Sequence, residues 1–227
     1  MLEESVIIAR SDADGYEIAL RRRYLGDKVT DELIINGAFA MDSDHTESEV
    51  ALADAMGPNP GTILVGGLGL GITAERLLAI GATHVDVVEL SGPLVEWARA
   101  GLTPALGRLA TDPRVTIHHG DVATILCEQP SLPGLFGPWD GICLDTDNGP
   151  DFLIHESNAC MYTTDGIRAA LGHLNPGGRL SIWSQGPSKE FWYDLTRIDP
   201  HATERLVSVQ HSNRRMDDAI YTVHAAA

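Results

Sequence analysis

Positive charge is the scarcest property of this chain. Sixteen Lys and Arg stand against 32 Asp and Glu, a formal net charge of −16 over 227 residues. Such a surface repels a phosphate backbone, so no nucleic-acid partner is expected. No uninterrupted apolar run approaches the ~20 residues of a membrane span, so no membrane partner is expected either. The first residues, MLEESVIIARSD, carry acids where a secretory leader carries bases, and their apolar run is short; a cytoplasmic location is the expectation. Cysteine is nearly absent. Cys127, Cys143 and Cys160 lie about sixteen residues apart with no C-x-x-C pair, which argues against a structural zinc site and against a disulfide framework. Each is read as a small buried apolar residue, and no metal is expected. Internal repeats and low-complexity tracts are missing as well.

One further absence is informative. With Gly67 and Gly69 as the first two glycines of a G-x-G-x-x-G fingerprint, the third position falls on Ile72, which disfavours an NAD-type dinucleotide site. What stands there is Thr62 to Glu89: a buried strand (Thr62 to Val65), a glycine turn with Gly66, Gly67, Gly69 and Gly71, a helix (Ile72 to Ile80) and a strand (His84 to Val88) ending at Glu89. Glycine at a strand-to-helix corner lets a ligand lie against the backbone, and the helix N-terminus offers free N–H groups. An acid about twenty residues on can accept from both ribose hydroxyls. The unit predicts a nucleoside site, and the G-x-G-x-G spacing favours a sulfonium-bearing nucleoside over a pyrophosphate cofactor. A glycine turn that only packs helix on strand is the alternative.

Around this unit the chain divides. Residues 5 to 41 read as β structure with a turn at Asp12-Ala13-Asp14-Gly15 and a hairpin at Asn36-Gly37, which predicts a small N-terminal β domain over 1–45. Arg21, Arg22 and Arg23 within it are expected on a solvated or salt-bridged strand. The sequence Thr46 to Glu49 has the form of a capping box opening the helix EVALADAM, with Glu49 as the capping acid, and Gly57 to Gly61 breaks the chain before the nucleotide unit. Then follow a helix from Pro93 to Ala100 capped by Ser91, a Gly/Pro-rich bend, and a strand Val115 to His118 closing on Gly120-Asp121. Asp121 is placed to bond the exocyclic amine of an adenine, and His118 and His119 read as ordinary strand-terminal histidines. A strand Trp139 to Leu144 ends in Asp145-Thr146-Asp147-Asn148-Gly149-Pro150, with two carboxylates at the strand end where open α/β sheets bind ligands. An Asx-rich turn is the plainer reading. A helix Asp165 to Leu174, a turn Asn175 to Gly178, a strand Arg179 to Trp183, a helix Lys189 to Leu195 and two final strands complete a doubly wound, mostly parallel α/β sheet over 46–227, of the class I methyltransferase-like Rossmann type.

With these motifs in place, the chain resembles the spermidine synthase family, whose fold is a methyltransferase-type sheet preceded by a small β domain. The resemblance runs from about Asn36 to Trp183. Val65-Gly66-Gly67-Leu68-Gly69 matches the family's glycine loop, with apolar Val65 where ordinary methyltransferases carry an acid. Glu89 matches its ribose acid and Asp121 its adenine-side acid, with Leu90 and Val122 beside them. Asp145 and Asp147 match the aspartates of the D-S-S-D-P gate in a shortened loop; Glu47-Ser48-Glu49-Val50 matches the Y-H-E-M segment weakly; Tyr162, Asn175-Pro176-Gly177-Gly178 and Trp183 resemble the downstream pattern. One departure weighs on function. Aminopropyltransferases carry an aspartate in the glycine loop that helps place the polyamine, and Leu68, Gly69 and Leu70 offer none.

The expectation is therefore an S-adenosylmethionine-dependent methyltransferase of spermidine synthase-like type acting on a small amine or hydroxyl acceptor. Asp145 and Asp147 are its catalytic residues, and Gly66, Gly67, Gly69, Gly71, Glu89, Leu90, Asp121, Val122 and Asp145 hold the donor. The alternative is transfer of an aminopropyl group from decarboxylated S-adenosylmethionine to putrescine or a similar amine, which the gate aspartates and the acidic charge favour. A nucleoside-binding protein without catalysis stays open, and an NAD-dependent oxidoreductase is the most distant reading. The resemblance also implies a homodimer.

Overall fold

The alternating apolar residues of the first forty positions build an antiparallel meander in the computed structural model, which describes residues 4–13, 17–128, 132–146, 148–150, 153, 156–211 and 214–226. Strands β1 (Glu4–Ser11), β2 (Ile18–Leu25), β3 (Lys28–Ile35) and β4 (Ala38–Asp42) pair in that order. Asn36 and Gly37 turn the β3–β4 hairpin with φ of 51° and 73°, the left-handed pair an Asn-Gly turn supplies at least cost. Asp14 and Gly15, from the expected first turn, lie outside the described residues. The basic run on β2 faces acids on β3: Arg22 pairs with Asp31 at 2.6 Å and Arg23 with Glu32 at 3.0 Å, while Arg21 also reaches Glu32. It is a salt-bridged strand.

After α1 (Glu47–Asp54), the second sheet has seven strands. These are β5 (Thr62–Gly66), β6 (His84–Glu89), β7 (Val115–His119), β8 (Trp139–Leu144), β9 (Leu174–Ser184), β10 (Thr203–His211) and β11 (Arg214–His224), in the order β10-β11-β9-β8-β5-β6-β7. The central five are parallel, and β11 and β10 are antiparallel additions at one edge. Runs such as Ile63-Leu64-Val65 are apolar on both faces because both faces are covered. Ile63, Val65, Val85, Val87, Cys143 and Ile220 pack on one side with α1, α2 (Ile72–Ala79), α3 (Gly92–Arg99) and α4 (Pro104–Thr111). Leu64, Val88, Ile142, Leu144, Ile182 and Tyr221 pack on the other with α5 (Val122–Glu128), a 3₁₀ helix (Glu156–Tyr162), α6 (Thr164–Leu171) and α7 (Lys189–Ile198). Ile18, Leu20 and Leu33 of the small sheet join the first core, so the meander sits on the α1 side of the large sheet. Among the described residues no helix is long and apolar enough to cross a membrane.

Several local expectations need correction. The bend after residue 100 contains α4, which Thr103 caps by accepting from Leu106 N at 3.2 Å; Pro104 sits at its first turn, where a missing N–H costs nothing. The segment after Asp121 is α5. Asn175 to Gly178 is an excursion within β9, where Trp139 pairs with Leu174 and Gly141 already pairs with Arg179. Thr46 precedes α1 without a side-chain capping bond, so the capping box does not form. Cys127 and Cys160 are bonded to each other, because the 3₁₀ helix lies against α5; a disulfide was not expected, and sequence spacing does not report that contact. Cys143 is the buried apolar residue anticipated, its thiol pKa pushed well up by burial.

Candidate active site

A parallel sheet presents its strand C-termini along one edge, and here that edge gathers the glycine turn after β5, Glu89 at the end of β6, Asp121 after β7 and Asp145 after β8. The antiparallel β11 runs the other way, so its first residues share the same edge. Ala219 pairs with Ser184, the last residue of β9, and residues 214–218 project beyond it. One cavity of about 960 Å³ occupies the crevice. Its walls include Gly67, Gly69, Glu89, Leu90, Asp121, Val122 and Asp145 from the expected site. Gly66 and Gly71 do not line it. A Cβ on Gly66 would press on Val122 and Leu144, and one on Gly71 would strike Leu109; these two glycines pack the helices. Asp147 lies outside the described residues.

Gly67 has a positive φ of 92°, and a Cβ there would overlap the Asp145 carbonyl oxygen. The nucleoside turn and the β8 end are thus in backbone contact, held also by Asp145 N donating to Gly66 O at 2.9 Å. Glu89 fixes the turn from the other side: one carboxylate oxygen accepts from Leu68 N at 2.8 Å and the other from Ser91 N at 2.7 Å. Burial pushes its pKa up while these N–H groups pull it back. Each oxygen keeps a lone pair, so the carboxylate can accept ribose hydroxyls without releasing the loop. Asp121 accepts from Ala123 N at 2.9 Å and from Thr124 Oγ1 at 3.0 Å. It caps α5 as well as lining the cavity. The narrow glycine corner, Glu89 and the cavity together fit a nucleoside of the S-adenosylmethionine type.

The wall opposite has a different character. Asp145, on the α1 side of the sheet by strand alternation with Cys143, accepts from Thr73 Oγ1 at 2.9 Å. Burial, opposed by that bond, and the negative charge of Asp218 leave its pKa pushed up to about 6. Glu49 is buried, accepts from Ser48 Oγ at 3.0 Å, and has its pKa pushed up to about 8 by burial and by the Asp145 charge. Glu49 is therefore not a capping acid: α1 turns it into the crevice. Asp218 is 1% exposed and lines the same cavity. In the sequence Glu49 stands only as a capping acid and in a weak Y-H-E-M match, and nothing local marks Asp218, which lies in β11 inside the terminal hairpin. His118 bonds to Asp86 at 2.8 Å beneath the sheet, and Trp139 Nε1 donates to the other oxygen of Asp86 at 3.1 Å. His119 meets Leu90 O at 3.1 Å.

Comparison with known proteins gives the same resemblance as the motifs. No family model matches the chain. A polyamine aminopropyltransferase of Corynebacterium efficiens is 29% identical over 155 residues, 67% of this chain. The chain spans only 28% of that relative's length. Among solved structures, a spermidine synthase of Thermotoga maritima superposes over 97% of this chain and 72% of its own, with a TM-score of 0.72 at 16% identity. A spermidine synthase in complex with the transition-state analogue AdoDATO gives the same coverage, with a TM-score of 0.71 at 17% identity. The fold is that of spermidine synthases, a methyltransferase-like sheet with a small N-terminal sheet. These relatives overturn the expectation of methyl transfer from S-adenosylmethionine, since those reported act, by their names, as aminopropyl-group transferases or spermidine synthases. That expectation leaned on the acid missing from Leu68-Gly69-Leu70. The inference was unsound because a cavity can draw its acids from many elements, and this one draws them from β3, β4, α1, β6, the residue after β7, the β8 end and β11, none of them in the glycine loop.

Proposed function

We propose that the chain is a transferase that moves the aminopropyl group of decarboxylated S-adenosylmethionine onto a small cationic amine such as putrescine. The observation that carries the reading is the single cavity shared by the nucleoside-holding residues Gly67, Gly69 and Glu89 and the carboxylates Glu49, Asp145 and Asp218. A nucleoside held at the first wall presents its sulfonium towards an acidic second wall, and a net charge of −16 favours approach of a cation. The similarity to the polyamine aminopropyltransferase of Corynebacterium efficiens supports the same reading.

In this reading Glu89 and the glycine turn orient the donor, whose sulfonium supplies an electrophilic carbon. Asp145 accepts a proton from the entering ammonium, and Thr73 holds the Asp145 carboxylate in place. The freed nitrogen lone pair forms the new C–N bond as the C–S bond breaks, and that electron pair stays on sulfur, leaving the neutral thioether methylthioadenosine. A carboxylate whose pKa is raised is a stronger base than an exposed one. Asp147, two residues after Asp145 in the sequence, is proposed as the second acid of the pair. A second copy of the chain would cover the exposed Val6, Ile7, Val29 and Phe39 of the small sheet, and sedimentation at micromolar concentration reads that dimer.

The test is an assay of the purified protein with decarboxylated S-adenosylmethionine and putrescine, reading methylthioadenosine. Its formation together with a lengthened amine supports the reading. Binding of the donor with no transfer to any amine would leave a nucleoside-binding protein.

A further inference from the structure

Two of the three cysteines join elements that each contribute a residue to the cavity wall. Cys127 is the penultimate residue of α5, whose first residue, Val122, lines the cavity beside the capping Asp121. Cys160 lies in the 3₁₀ helix two residues after Asn158, which is buried and lines the cavity as well. The disulfide between them spans a sequence separation of 33. Helical side chains lean back over the preceding turn, and Cys160 Sγ accordingly lies 3.8 Å from Ala123 O. The bond therefore sits over the first turn of α5, next to Asp121 and Val122.

What the bond holds is asymmetric. A 3₁₀ helix has poor hydrogen-bond geometry and seldom runs past three or four residues; this one has seven, so it depends on what it is fastened to. Its C-terminal end is fastened several times over. Cys160 O accepts from Thr163 Oγ1 at 2.8 Å and from Thr163 N at 3.1 Å, Thr163 caps α6 through Gly166 N at 3.0 Å, and Met161 is buried. In the N-terminal half Glu156, Ser157 and Ala159 are exposed, and the disulfide is its covalent tie to α5. The pair is also suited to exchange. Cys127 and Cys160 are both partly exposed, within reach of a small thiol. Cys143 is buried in the core on the opposite face of the sheet, its thiol held protonated by burial, so it offers no rival partner.

We propose that Cys127–Cys160 is a reversible redox site: the disulfide keeps the α5 side of the cavity shaped for a nucleoside, and a dithiol reductant weakens nucleoside binding by opening it. The inference rests on the reading of this cavity as a nucleoside site and adds a control to it. In the exchange one reductant thiolate attacks a protein sulfur, and the S–S electron pair leaves with the other cysteine. The second reductant thiolate then attacks the reductant sulfur of the mixed disulfide and releases the first cysteine. Two electrons pass to the protein, each cysteine takes up a proton, and the reductant closes to a cyclic disulfide. Without the bond the C-terminal end of the 3₁₀ helix stays on α6, while Asn158 and the first turn of α5 lose their common tie. The cost of ordering them then falls on the ligand.

Calorimetry with methylthioadenosine as the probe compares the oxidised protein, the same protein reduced with dithiothreitol, and the double variant Cys127→Ser, Cys160→Ser with and without dithiothreitol. The oxidised protein should bind at least about fivefold tighter than the reduced one, the lower end of the usual coupling between linked sites. The double variant should bind weakly in both conditions. Because linkage is reciprocal, saturating methylthioadenosine should shift the thiol–disulfide equilibrium towards the disulfide by the same factor, read by thiol titration in dithiothreitol redox buffers. This second measurement needs no variant. Equal affinity in the two redox states overturns the inference and leaves aminopropyl transfer standing. Loss of secondary structure on reduction, read by circular dichroism, overturns it as well, since a switch needs two folded states. Binding in neither state overturns the nucleoside reading and the inference together.

Discussion

Glu89 and Glu49 are both buried glutamates on the walls of one cavity, and their surroundings are opposite. Two backbone N–H groups of neighbouring residues meet Glu89; Glu49 meets a serine hydroxyl, a backbone hydrogen bond within its own residue and the field of two further carboxylates. Both pKa values are raised. For Glu89 the N–H groups offset the cost of burial, so the nucleoside wall is organised before any ligand arrives. At Glu49 like charge adds to that cost, and in the aminopropyl-transfer reading a cation entering the facing wall would relieve it.

The sharpest way to separate the walls is through Asp145. Asp145→Asn should lower turnover by about 10²- to 10⁴-fold, the usual contribution of a positioned base, while calorimetric affinity for the donor stays within a few-fold; equal loss of both would merge the two walls into one. The converse variant is Glu89→Ala. It strands the N–H groups of Leu68 and Ser91, at about 1–3 kcal/mol for each buried unsatisfied donor, which corresponds to a fall in Tm on the order of 10 °C. It should also weaken the donor on the order of 100-fold with no change in amine selectivity. Gly67→Ala comes next: its Cβ would strike the Asp145 carbonyl at a left-handed φ, so donor affinity and turnover should fall together, by roughly tenfold each.

The smallest effect is a pH slope. Glu49 keeps its proton in the folded chain up to about pH 8 but loses it near its ordinary 4.5 when unfolded. The folded state therefore binds more protons across that window, and stability falls as pH rises from about 5 to 8. Asp145 adds to the slope in the lower part of the window. Thermal melts should show Tm dropping as pH rises over that range, a smaller drop in Glu49→Gln, and a smaller drop when a diamine is bound. A Tm that climbs with pH would contradict the crowded wall.

What the sequence made legible was the part carried by contiguous motifs. The strand–glycine–helix–strand unit from Thr62 to Glu89, the hairpin at Asn36-Gly37 and the Ser91 cap each follow from local chemistry, and each is present. What it hid was non-local. Asp121 was read only as a ligand-side acid because α5, which it caps, was not foreseen. Glu49 looked like half of a capping box, since Thr46 stands three residues before it; only the packing of α1 against β9, β10 and β11 shows where its side chain goes. Cys127 and Cys160 meet through helix packing, and Asp218 carries no motif at all. The mistaken preference for methyl transfer has the same origin: it asked one short loop for an acid that the fold brings from distant strands.

The overhang of β10 and β11 beyond the end of β9 has a bearing on how such a protein diversifies. In the proposed reading the glycine turn and Glu89 at the donor end lie in one stretch of chain, whereas the facing wall is spliced from a helix start, a strand end and the terminal hairpin. In that reading, an exchange on this hairpin, fastened to the sheet along a single side, would reshape the facing wall while every recognisable donor motif stayed the same. Two proteins indistinguishable by those motifs could thus lengthen different amines.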